Sequence, residues 1–101
     1  GIDFGLPVLQ TIEQMHERMD GSGYPQKLKG EAICLQARIL AVANTFCALM
    51  RPRSYRRRHD EPAALAILRE RPFKYDQQVV DALAAFLQSA QGKEFVRILQ
   101  Q

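Results

Sequence analysis

Apolar residues along this chain recur at intervals of three and four, and nowhere do they alternate over a useful length. That pattern builds helices and leaves no segment suited to a half-buried strand, which would hide every second side chain. Val8, Ile12, Met15 and Met19 form the first such row, and Pro7 suits an opening helical position, so a helix is predicted from there to Gly21. Ile39, Val42, Ala43, Phe46, Leu49 and Met50 form a broader face, which predicts a central helix over Leu35 to Met50 packed on more than one side. Asp60 can cap the next helix, with Pro62 in its first turn and Ala63 to Glu70 continuing it. Pro72 breaks that helix, and Asp76 caps another whose buried face is Val79, Val80, Leu83, Phe86, Leu87 and Ala90. Gly92 is expected to end it, and a short last helix carries Phe95, Ile98 and Leu99. The expected fold class is all-α with about five helices, in one domain over residues 1–101.

Two loops interrupt the helices. The first is assigned to residues 20–34, because Asp20-Gly21-Ser22-Gly23-Tyr24-Pro25 packs two glycines and a proline into six residues. There Glu17 and Asp20 are expected to organise the turn by accepting backbone N–H bonds. The second, residues 51–60, holds five arginines between Arg51 and Arg58, while most acidic residues lie elsewhere. An anionic partner is one reading of that stretch, and a solvated charged loop is the other.

Of the 101 residues, 47% are hydrophobic and 25% charged, the profile of a single globular domain. A core of this size is modest, so extra stability is expected from a partner segment or from self-association. No apolar run approaches the roughly 20 residues that a spanning helix needs, and no basic-then-apolar leader opens the sequence, so no membrane association is expected. Cys34 and Cys47 lie in apolar stretches without CxxC spacing and read as buried thiols of a reducing, cytoplasmic setting. The net charge of +3 is slight and no nucleic-acid motif is present, which argues against a nucleic-acid binder.

The stretch His16-Glu17-Arg18-Met19-Asp20-Gly21-Ser22-Gly23-Tyr24-Pro25 resembles HHExxDGxGYP, the signature of the HD-GYP family, with Gly23, Tyr24 and Pro25 as its GYP. Leu28 and Gly30 fit the loop that follows. Ala37-Arg38-Ile39 and Val42-Ala43 are similar to the ARIxxVAD helix, and Ala48-Leu49, Arg53, Tyr55 and Arg56 to ALxSxRPYR. Tyr75-Asp76 and Val80 resemble FDPxxV, so the likeness runs in order from Leu6 to Leu87. It implies the C-terminal half of an HD-like helical bundle, in a bacterial signalling context.

In that family two or three ions, commonly iron or manganese, activate water to cleave cyclic diguanylate (c-di-GMP), and such a site needs several imidazoles and carboxylates in one pocket. Here the paired histidines become Met15-His16, and the acid of VAD becomes Asn44. The HD dyad belongs upstream, and His59 lies in the basic loop at no matching position. His16 is the one metal-ligand position kept, and its structural alternative is a helix-end histidine bonded to a carboxylate such as Asp20. No metal cofactor and no catalytic residue is therefore expected for this chain.

Nucleotide contact is implied for Tyr24, which could stack on a guanine, and for Arg53 and Arg56, whose planar forks suit phosphate. The alternative is that Tyr24 buttresses the turn and the arginines are solvated. Ser54 replaces the family's proline in RPYR, and Arg57 and Arg58 add charge. The resemblance implies a degenerate module that binds c-di-GMP or a GGDEF-domain protein rather than catalysing. The other reading is the C-terminal part of an active phosphodiesterase. An HD half without its other half is expected to expose an apolar face and to cover it as a homo-oligomer.

Overall fold

Five α-helices follow one another in the computed structural model, which describes residues 8–51 and 59–101. They are α1 (Val8–Gln14), α2 (Leu35–Met50), α3 (Glu61–Arg69), α4 (Gln77–Leu87) and α5 (Ala90–Leu99), with one 3-10 turn at Gly30–Ala32 before α2. No strand occurs among the described residues, as the three-and-four spacing predicts.

Helix α2 is the hub, packing against α1, α3, α4 and α5. Its Val42, Phe46 and Met50 meet Ala64 and Leu68 of α3, Tyr75 before α4, Val80 and Leu87 of α4, and Leu99 of α5. Each large side chain buried there contributes about 1.5–3 kcal/mol relative to exposure. This set, rather than any single layer, holds the helices together. Thr45 Oγ1 and the Tyr75 hydroxyl are bonded at 3.0 Å, which gives the buried phenol a polar partner.

The expected caps are in place. Asp60 accepts the Ala63 N–H at 2.9 Å, and Asp76 accepts the Gln78 N–H at 2.9 Å. Each satisfies a donor that the first helical turn leaves without an internal acceptor.

Two expectations are corrected. Helix α1 stops at Gln14 instead of reaching Gly21, because Glu17 is drawn into the protein by tertiary bonds that a continued helix would forbid. Gln14 itself turns inward, its Oε1 accepting the Cys34 N–H at 2.6 Å. Likewise α4 ends at Leu87, and Gly92 lies inside α5 rather than ending α4. Ser89 caps α5 by accepting the Gly92 N–H at 3.0 Å. A Cβ on Gly92 would come within 2.0 Å of the Phe86 carbonyl oxygen, so glycine there lets the two helices meet at a tight corner.

The apolar row of α1 is largely open. Ile12 is 58% exposed, and on the neighbouring faces Leu35, Ile39 and Phe86 are exposed as well. The expected uncovered apolar face is thus present on this chain.

Candidate functional site

The segment from Met15 to Cys34, between α1 and α2, is folded by its own polar groups. Glu17 is only 4% exposed, and its two carboxylate oxygens accept the Gln26 and Leu28 N–H groups at 2.8 Å each. Tyr24 donates its N–H to the His16 carbonyl at 3.3 Å, and Gly30 to that of Met19 at 3.0 Å. Asp20 accepts the Ser22 N–H at 2.9 Å, so both carboxylates organise the turn as expected. The Ser22 hydroxyl, its N–H and, more weakly, Arg18 hold the Asp20 carboxyl below the ordinary carboxylate value.

Gly23 allows the closest approach in the loop. A Cβ there would lie 2.4 Å from the His16 carbonyl oxygen and 2.6 Å from the Arg18 nitrogen, both backbone atoms. Lys27, between the two residues that donate to Glu17, adopts the left-handed region with φ 53°, uncommon for a residue with a Cβ. The Asp20 N–H reaches the Phe73 carbonyl at 2.9 Å and fastens the loop to the α3–α4 turn.

The loop brings two of the anticipated residues together. The rings of His16 and Tyr24 are stacked, with centroids 4.9 Å apart and planes 16° from parallel. His16 is therefore paired with Tyr24, not with Asp20, and it lies beyond the end of α1 rather than at a helix end. Tyr24 remains 58% exposed although one face of its ring is stacked on His16. Met15 is half-buried, and Asn44 is exposed on α2. Among the described residues no three His, Cys, Asp or Glu side chains are grouped as a metal site. Arg53 and Arg56, with most of the basic loop, lie outside the described residues.

Sequence reasoning missed a buried ion pair behind this loop. Arg38 Nη1 bonds Asp76 Oδ2 at 2.6 Å, with side chains only 15% and 8% exposed, and Arg38 Nε donates to the Ile33 carbonyl at 3.0 Å. One guanidinium thus ties α2, the end of the loop and the cap of α4. The signal was an arginine in an apolar helix with a distant capping aspartate. Beside the pair, Leu35, Ile39, Val42, Val79, Leu83 and Phe86 line an open apolar groove of about 370 Å³ between α2 and α4.

A family model described as the HD domain matches residues 1–79. The chain belongs to the HD domain family. Its all-helical architecture is that of part of such a domain, with α2 as the hub. The HD domain is 54% identical over 69 residues to the cyclic di-GMP phosphodiesterase response regulator RpfG of Xanthomonas campestris, covering 67% of this chain and 18% of that protein. It is 43% identical over 70 residues to 3'3'-cGAMP-specific phosphodiesterase 1 of Vibrio cholerae, covering 67% of this chain and 16% of the relative. A cyclic di-GMP phosphodiesterase of Thermotoga maritima is 43% identical over 54 residues, or 50% of this chain and 15% of that one. The chain therefore spans less than a fifth of each of these relatives. None of the helices described here is long and apolar enough to cross a membrane.

Proposed function

We propose that this HD domain is a degenerate HD-GYP-type module of cyclic dinucleotide signalling that acts by binding, to c-di-GMP or to a protein partner, rather than by catalysis. The observation that carries the reading is a well-formed recognition loop beside an altered donor set. Tyr24 is presented on a loop whose backbone is bonded to Glu17 and His16, and as an exposed residue it is available to a base. Arg53 and Arg56 would supply the phosphate contacts, since each can donate two hydrogen bonds from a charge that persists at ordinary pH.

The donor chemistry supports binding over hydrolysis. Iron or manganese calls for imidazole and carboxylate ligands, whereas the matching positions offer the thioether of Met15, the amide of Asn44 and a His16 ring lying flat on Tyr24. That set does not fit such ions, and no hydrolytic step is assigned to it. The relatives named as cyclic di-GMP and cGAMP phosphodiesterases support a cyclic dinucleotide as the ligand class. A GGDEF-domain protein is the protein partner of this reading, in a cytoplasmic setting. Self-association would cover the apolar face of α1, α2 and α4.

Calorimetry with c-di-GMP and pull-down against a GGDEF domain test the proposal, and silence in both would sink it. Light scattering at high concentration tests self-association, which a monomeric mass would contradict. A second reading, the C-terminal part of an active phosphodiesterase, is favoured by the small share of its relatives that the chain spans. Metal analysis and hydrolysis by a longer polypeptide in manganese or iron decide between the two. Bound metal with turnover would favour the enzyme.

A further inference from the structure

We propose that Glu17 is the positioning residue of the Tyr24 loop, its carboxylate serving as a built-in anion in a nest of backbone N–H groups that keeps the loop closed with no metal ion. The donors belong to Gln26 and Leu28, nine and eleven residues along the chain, and each meets a different oxygen of the same carboxylate at 2.8 Å. The left-handed Lys27 between them turns both N–H groups to one side. Consecutive backbone donors arranged around such a residue make a concavity that binds anions. Here the anion is covalently part of the chain.

The carboxylate is almost out of reach of water, and among the described residues no ion pair reaches it. Its charge is held by peptide dipoles, and those peptides have Glu17 as their acceptor. Removing it strands two donors and an αL lysine with nothing to compensate them. The bond from the Tyr24 N–H to the His16 carbonyl closes the other side of the segment. Glu17 therefore acts on the ring of Tyr24 at a distance, by fixing the peptides of Gln26 and Leu28 that follow it. A shorter aspartate in this place would lack the reach to meet both donors.

The inference bears on nucleotide binding only through the proposed role of Tyr24, and the test separates the two. Amide hydrogen exchange and ring-current shifts are followed by NMR on the 101-residue chain and on Glu17→Ala. Exchange at Gln26 and Leu28 should quicken by an order of magnitude or more, and the mutual shifts of His16 and Tyr24 should collapse, while α2 to α5 keep their protection. Added acetate should restore both signals in Glu17→Ala, and chloride at equal ionic strength should not. Glu17→Gln keeps one acceptor and points an amide N–H₂ at the second donor, so one of the two amides should stay protected. Unchanged exchange in Glu17→Ala would overturn the proposal. So would loss of protection throughout α2 to α5 in both variants, or failure of acetate to rescue. Calorimetry with c-di-GMP on the same samples completes the separation, because a closed loop that binds no nucleotide refutes the ligand reading and leaves the role of Glu17 standing.

Discussion

Replacing Arg38 by methionine should unfold this domain far more readily than an ordinary surface change. The substitution keeps most of the apolar stem but removes the guanidinium 2.6 Å from Asp76, whose side chain is 8% exposed. The carboxylate would keep the Gln78 N–H as its remaining bond, and the Ile33 carbonyl would lose its side-chain donor. Breaking a fully buried pair from one side costs about 3–5 kcal/mol. The residual exposure here, 15% for Arg38, allows some rehydration and points to the lower end, about 3 kcal/mol. For a domain of about this size each 1 kcal/mol moves Tm by roughly 4–8 °C, so a drop on the order of 12 °C or more is expected. Asp76→Asn retains an acceptor for the cap and leaves a cation on a flexible stem, so about 1–2 kcal/mol should be lost. The double variant leaves no unpaired charge, and its loss should fall below the sum of the singles by about 1 kcal/mol or more. Urea unfolding followed by circular dichroism, with all four proteins at pH 7, measures these values. A loss below about 1 kcal/mol for Arg38→Met, or additivity within about 0.3 kcal/mol, would refute the claim that burial makes this pair matter.

Gly23→Ala should cost about 1–3 kcal/mol and weaken any c-di-GMP binding, because its Cβ would collide with backbone that cannot swing aside; a thermal melt beside calorimetry checks it. Gly92→Ala should cost a similar amount by forcing α5 off the Phe86 carbonyl, yet leave the His16–Tyr24 shifts untouched in an NMR spectrum. Asp20 is held below its ordinary pKa, so its contribution is present above the unfolded value and is lost as pH falls through the depressed folded value. An acid titration of the Ser22 amide shift should therefore show a step below the ordinary carboxylate range, absent in Asp20→Asn.

The helices were legible wherever a local signal decided the outcome. The bounds of α2 follow from its apolar spacing, and α3 and α4 begin where Asp60 and Asp76 can cap them. The signal failed where a contact from afar overruled it. The row Ile12, Met15, Met19 looks like a continuous helix, but Glu17 gains two buried hydrogen bonds by leaving that geometry, and nothing in the spacing announces partners nine and eleven residues on. Gly92 was misread for the same reason, since its lack of a side chain answers a crowded corner and not a helix end. At the candidate site, the residue types of Glu17 and Asp20 foretold turn bonding correctly, whereas the His16 partner depended on how the closed loop carries Tyr24 back over it. Arg38 was visible as part of a motif, yet its pairing with Asp76 is a tertiary fact.

The groove between α2 and α4 has a thermal consequence. Its lining is almost wholly hydrocarbon, and the one carboxylate at its edge is already neutralised by Arg38. A complex seated there would draw on a driving force that fades in the cold and strengthens in sulfate. The phosphate contacts proposed for Arg53 and Arg56 would instead weaken as salt is added. Cooling would thus loosen a partner held in the groove, while sulfate would move apolar and phosphate contacts in opposite directions.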